Sequence, residues 1–193
     1  MKALDATVTV LDFESTGTVR GFPDEPWQVG MVELRQGRVT GQYHESYLRI
    51  APERPFNPYV PGRHAELRGL LAQAPAMGDL WPVWRPWLEG CPLAAHNIGT
   101  ERKFLRRAAP LHRFGPWIDT LHLARHVRPD LNAHSLGEVA EALEVAGRVR
   151  EWCPGRDWHD ALFDAFASAL VLEHCLALPG WENVSIEALS RGD

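Results

Sequence analysis

The stretch VTVLDFESTG at residues 8–17 constrains the chain more than any other. Residues 6–13 are rich in β-branched side chains and alternate, which predicts a strand. Residues two apart on a strand share a face, so Val8, Val10, Asp12 and Glu14 line one side. Val8 and Val10 belong to a core, yet the same face ends in two acids. Open α/β sheets hold ligands at the carboxyl ends of their strands. Two carboxylates so close repel, and either a proton or a cation must relieve them. A D-x-E pair by itself is equally a solvated strand end, so further acids have to arrive from elsewhere in the chain.

The remaining elements read as follows. Strands are expected at 28–36 and 39–50, joined by a hairpin turn at Gln36-Gly37. A Pro-rich loop covers 51–62, and helices cover 64–73 and 79–89 with a break at APAMGD. CPLAAHN is a short buried strand, Gly99 to Arg107 a helix, PWID a strand and 119–127 a helix. Ser135 with Glu138 three residues on signals a capped helix. Gly147 to Trp158 reads as a loop and 160–177 as a long apolar-faced helix. Hairpin-linked strands followed by alternating β and α predict an α/β fold, a mixed sheet flanked by helices. One domain over residues 1–193 is expected, with a core at about 6–178 and a short tail at 179–193.

The net charge of −5 excludes a generally basic nucleic-acid binder, so a phosphate partner would be met by a local patch or by bound cations. Cys91, Cys153 and Cys175 form no CxxC pair, which points to a reducing cytoplasm. No apolar run reaches membrane-span length, and no signal-peptide pattern opens the chain.

Further acids do arrive. AAHNIGTERKFL at 94–105 places Glu101 in the first turn of a helix that follows a buried strand. GRDWHDALFDAFASALVLEH at 155–174 places His159 at a helix entrance and Asp164 among apolar residues inside it. An inward-facing acid needs a partner. His159 and Asp164 can face one site only if His159 sits on the preceding loop and folds over, since five residues turn an ideal helix by about 140°.

Taken together, these stretches resemble the DEDDh family of 3'→5' exonucleases. An acid-x-Glu followed by two hydroxyls and glycine is matched by Asp12, Glu14, Ser15, Thr16 and Gly17. A His-Asn-x-x-x-acid-x-x-Phe-Leu motif is matched by His96, Asn97, Glu101, Phe104 and Leu105. A His-x-Ala-Leu-x-Asp-Ala motif is matched by His159, Ala161, Leu162, Asp164 and Ala165. Glu101 departs from the family's usual Asp by one methylene.

The resemblance implies a ribonuclease-H-like fold, a central mixed five-stranded sheet whose first three strands form an antiparallel meander. It implies two divalent cations, Mg²⁺ or Mn²⁺, with Asp12 bridging both, Glu14 and Asp164 completing the first shell and Glu101 serving the second ion. It makes His159 the general base, a task suited to an imidazole. It places Ser15, Thr16, Gly17, His96 and Asn97 around the terminal nucleotide. The implied substrate is the 3' end of single-stranded DNA or RNA, the product a nucleoside 5'-monophosphate, and a DNA polymerase is a candidate partner. Arg102 and Arg106, in a basic run beside Glu101, are candidate phosphate contacts or a solvated face. Asp160 and Asp119 read as helix caps, and His96 as a loop-fixing residue or a ligand. The rival reading is a non-catalytic nucleic-acid- or polymerase-binding module that keeps the fold, and Glu101 is the feature that favours it.

Overall fold

A computed structural model describes residues 1–191 of the chain. Its five-stranded sheet has the order β3-β2-β1-β4-β5. The strands are β1 (Thr7–Ser15), β2 (Pro26–Arg35), β3 (Arg38–Tyr47), β4 (Leu93–Ala95) and β5 (Trp117–Asp119). β1, β2 and β3 form the antiparallel meander, while β4 and β5 run parallel to β1. The expected hairpin turn is present: Gln36 and Gly37 both take positive φ, 51° and 69°, the conformation a two-residue hairpin requires.

The helices are α1 (His64–Gln73), α2 (Trp81–Leu88), α3 (Gly99–Ala108), α4 (Thr120–Val127), α5 (Leu136–Ala142), α6 (Ala146–Trp152), α7 (Ala161–Leu176) and α8 (Ile186–Leu189). Strand alternation splits the core in two. Val8 and Val10 pack with Phe163, Phe166 and Leu170 of α7 on one face. Leu11 and Phe13 pack with Trp84 and Phe104 on the other. α5 starts at Ser135 with a complete capping box to Glu138. Among the described residues no helix is long and apolar enough to cross a membrane.

One expectation is corrected. The segment read as a loop from Gly147 contains α6. Gly147 masked the periodicity, but Ala146 and Val149 are buried against the α7 side of the core, and that burial outweighs the ~1 kcal/mol penalty of one glycine. The short stretch from Pro179 carries α8 and packs on the N-terminus. Ile186 and Leu189 are buried, Ile186 N–H donates to the Met1 carbonyl at 3.0 Å, and Ala3 N–H donates to Val184 O at 2.9 Å. Gly192 and Asp193 of that stretch lie outside the described residues.

The feature that positions the site is a close approach. Asp12 on β1 pairs with Gly30 on β2. A Cβ on Gly30 would lie 2.4 Å from the Ala161 carbonyl oxygen and 2.5 Å from Leu162 Cα, both backbone atoms of the first turn of α7. The absent side chain lets that turn sit directly on the sheet. Gly30→Ala should therefore cost about 1–3 kcal/mol through overpacking. A Tm falling about 2–4 °C per kcal/mol in thermal denaturation checks it, and an unchanged Tm would show that α7 is free to back away.

Candidate active site

Asp12 and Glu14 leave β1 where its pairing with β2 becomes irregular, between Glu14 and Ser15. The chain then turns at Gly17, whose φ is +67°. A Cβ there would lie 2.4 Å from Val60 Cγ2 and 2.8 Å from Asn57 Cβ, so glycine is required on both counts. The turn is built from its own side chains. Thr16 is fully buried; its hydroxyl accepts from Glu25 N–H at 3.1 Å and from Arg54 Nη2 at 3.0 Å, and it donates to Gly17 O at 3.2 Å. The Thr16 hydroxyl is thus engaged inside the turn. Ser15 is half-buried, and its carbonyl accepts from Trp27 Nε1 at 3.2 Å.

Glu101 comes from the first turn of α3, directly after β4. It is buried, and its Oε2 has no partner. The corner before it is held by His96. One ring nitrogen pairs with Thr120 Oγ1 at 3.0 Å and the other with the His134 carbonyl at 2.9 Å. With both ring nitrogens engaged, His96 joins β4 to the α4 and α5 ends, in keeping with the loop-fixing reading. Asn97 takes φ of 70° and is exposed, with its backbone N–H on Asp119 Oδ1 at 2.9 Å. Asp119 also caps α4 through Leu121 N–H at 2.9 Å.

The third contribution comes from the entrance of α7. Asp160 caps the helix, accepting from the N–H groups of Leu162 and Phe163. His159 stands just outside the helix with φ of 66°, exposed, its backbone N–H on Asp164 Oδ2 at 3.2 Å. That left-handed residue is the fold-over the spacing demanded. One ligand-type atom each from Glu14, His159 and Asp164 falls within a mutual 4.8 Å. Asp12 and Glu101 stand beside this trio. Burial first, and then the charges of Asp164, Glu101 and Glu14, push the Asp12 carboxyl well above its ordinary range. Burial and nearby acids push Glu14 up to about 8. Burial, then Asp119, pushes Glu101 to about 8, and burial, then Asp160 and Asp157, pushes Asp164 to about 7, each against an opposing backbone hydrogen bond.

Arg102 and Arg106 lie on α3 and line a cavity of about 350 Å³ with His112, Arg113, Phe114 and Trp117. Arg102 is half-buried and Arg106 exposed. Their neighbours Lys103 and Arg107 reach Asp24 in the β1–β2 connection, at 3.4 Å to its carboxylate and 2.7 Å to its carbonyl.

Several residues that build the site carry no motif. Gln28 opposes Glu14 on β2; its amide nitrogen donates to Glu45 and Asp160, and its oxygen accepts from Ala161 N–H at 3.2 Å. Arg156 grips both Glu45 and Asp160 at 2.7–3.1 Å. Arg54, 4% exposed, ties the Thr16 turn to the 51–62 loop, donating also to the Pro23 and Pro55 carbonyls. A lone glutamine in an apolar strand was the readable signal for Gln28. Nothing local marks Arg54 or Arg156.

The residues present fit a divalent cation. Glu101 Oε2 and Asp164 Oδ1 are buried without a hydrogen-bond partner, which costs free energy unless something positive or a proton meets them. Carboxylate oxygens suit a hard cation such as Mg²⁺ or Mn²⁺.

Protons and metal should therefore compete. A folded-state pKa raised to about 7–8 at Glu14, Glu101 and Asp164 means the native state binds protons that the unfolded chain has released. Stability in chelator should fall as pH rises from the ordinary carboxylate range through about 8. Thermal melts in chelator from pH 5.5 to 8.5 check this. Tm should drop, Mn²⁺ should restore it at the alkaline end, and Asp12→Asn should raise the chelator Tm at pH 8. A Tm that climbs with pH would contradict the cluster.

The exonuclease family described by RNase T matches residues 9–172. The PolC-type DNA polymerase III of Thermotoga maritima is 31% identical over 175 residues, which is 86% of this chain but 12% of that protein. Exodeoxyribonuclease 10 of Escherichia coli is 25% identical over 175 residues, 89% of this chain and 70% of that one. The solved nuclease domain of 3'hExo, a DEDDh family member bound to rAMP, superposes with a TM-score of 0.67 at 14% identity, covering 95% of this chain and 98% of that one. The chain thus spans a small part of its polymerase relatives and most of the free-standing exonuclease domain. With its motifs folded into one acidic cluster, the chain belongs to the DEDDh 3'–5' exonuclease family, on a ribonuclease-H-like fold.

Proposed function

We propose that this chain is a two-metal 3'→5' exonuclease that removes nucleoside 5'-monophosphates from the 3' ends of single-stranded nucleic acid. The observation that carries the reading is the convergence of Glu14, His159 and Asp164 within 4.8 Å, beside Asp12 and the unpartnered Glu101 carboxylate. Asp12, Glu14 and Asp164 would hold one cation, and Asp12 and Glu101 would serve a second. Bound divalent cations supply positive charge that stabilises the attacking and leaving oxygens of an in-line displacement.

His159 takes the proton of the attacking water. Its exposure and its position beside Glu14 and Asp164 support that role. Asp164 accepts the His159 backbone N–H at 3.2 Å and so orients the base relative to the carboxylates. Glu101 stands close enough to Asp12 for its charge to act on that carboxyl, which supports its place in the cluster. Ser15, the Gly17 turn and Asn97 border the terminal nucleotide, and Arg106 meets backbone phosphate. DNA is the favoured polymer, since the relatives are a DNA polymerase and an exodeoxyribonuclease. A DNA polymerase is the partner class to test. Three free cysteines suit a reducing cytoplasm.

A 5'-labelled single-stranded oligonucleotide with Mg²⁺ or Mn²⁺ tests the proposal. One-nucleotide shortening should appear, stop in chelator, and fall by roughly 10²–10⁴ in His159→Ala. Retention of the oligonucleotide without shortening, in a folded protein, would favour the binding-module reading instead.

A further inference from the structure

The segment that carries His159 is clamped to the sheet by one guanidinium. Arg156 lies three residues before His159, on the connection from α6 to α7. It holds Glu45 with both terminal nitrogens, Nη1 to Oε1 at 2.7 Å and Nη2 to Oε2 at 2.8 Å, and its Nη1 also donates to the Asp160 carboxylate at 2.9 and 3.1 Å. Gln28 Nε2 donates to the same two carboxylates, at 2.8 Å to Glu45 and 3.1 Å to Asp160. The side chains of Arg156, Glu45 and Asp160 are only 28%, 19% and 13% exposed, so the junction is screened less than a surface ion pair. Glu45 on β3 pairs with Gly30 on β2, and Gly30 pairs with Asp12 on β1. Directly opposed residues share a sheet face, so the guanidinium ties the connection to the row of the sheet that carries Asp12. His159 stands between the two residues of this clamp that belong to its own segment. Its φ of 66° is a left-handed conformation disfavoured for a side chain of its size, and a residue stays there only where its surroundings hold it. On one side its N–H rests on Asp164 Oδ2 at 3.2 Å. On the other, the next residue is Asp160, which Arg156 grips.

We propose that Arg156 is a positioning residue for His159: by fixing Asp160 against Glu45, it holds the left-handed turn that keeps the imidazole beside Glu14 and Asp164. This rests on the exonuclease reading above. The guanidinium is spent on Glu45 and Asp160, so its influence on the reaction passes through the residue it places. Arginine suits the task because its planar fork can hold two carboxylates at a fixed angle, whereas the ammonium of a lysine is a point charge on a flexible stem. With the clamp released, His159 relaxes toward ordinary φ and its ring leaves the acids. The carboxylates themselves stay, because β1, α3 and the buried α7 carry them.

The test is a double-mutant cycle on oligo-dT shortening with Mn²⁺. Arg156→Lys keeps the charge and loses the fork; kcat should fall by roughly 10–10²-fold with KM unchanged. In a His159→Ala background the same substitution should lower kcat no further, since the residue it acts through is gone. Glu45→Gln removes the far anchor and should repeat both results, which keeps the test intact if Arg156→Lys does not fold. An equal loss in both backgrounds would assign Arg156 to the carboxylates, on which the Asp160 charge also acts, and would overturn the proposal. An unchanged kcat, or a loss confined to KM, would overturn it too. A second readout needs no turnover: Mn²⁺ should broaden the NMR signals of the His159 imidazole, assigned by their loss in His159→Ala, and broaden them less in Arg156→Lys and Glu45→Gln. Equal broadening in wild type and variants would overturn the proposal. Failure of wild type to shorten any oligonucleotide would instead remove the exonuclease reading, and the broadening comparison would then decide whether Arg156 places His159.

Discussion

The first turn of α7 rests on β2 with no side chain between them, and the rest of the site follows from that contact. Gly30 supplies the gap, and Gln28, two residues away on the same strand face, accepts the Ala161 N–H. Gly30 is the register partner of Asp12, and Gln28 that of Glu14. Seating the helix there fixes Asp164, one turn in, against both acids of β1. A helix held off by a methyl-sized spacer would separate the carboxylates and relax their repulsion. The fold instead pushes them together.

That arrangement leaves charge unbalanced by design of the surroundings. Arg156 is placed close by, yet it is committed to Glu45 and Asp160, the outer acids. Arg54 is committed to the Thr16 turn and Glu25. Of the inner four carboxylates, Asp164 accepts the His159 backbone N–H, and all four are raised by burial and neighbouring acids. A proton or a cation would complete them, and the raised proton affinity of all four supports the proposed metal site. A chain with net charge −5 can then still meet a phosphodiester, because the positive charge need not be its own.

Much of this was legible in the sequence, and the reasons are physical. The period-two pattern of β1 announced both its core face and the acids that end it. The mismatch between five residues and a helical turn required His159 to lie outside the helix, and its φ of 66° is how the chain achieves this. The Ser135 capping box and the hairpin at Gln36-Gly37 are local chemistry, readable locally. What escaped depended on partners distant in sequence. α6 is held by burial against α7, which no window around Gly147 reveals. The polarity of Thr16 and His96 was visible in the sequence, but their partners Arg54, Thr120 and His134 were not. Arg54 and Arg156 look like any surface arginine until the loops they join are folded.

The central claim is that the acids gathered on β1, α3 and α7 hold protons near neutral pH and give them up to a divalent ion. Calorimetric titration of Mn²⁺ at pH 7 in buffers of differing ionisation enthalpy measures this directly, since the buffer dependence of the heat counts protons released. The account predicts net release at pH 7, shrinking toward zero as pH passes above the values of about 8 held by Glu14 and Glu101. Mn²⁺ binding whose heat is independent of buffer at pH 7 would contradict it.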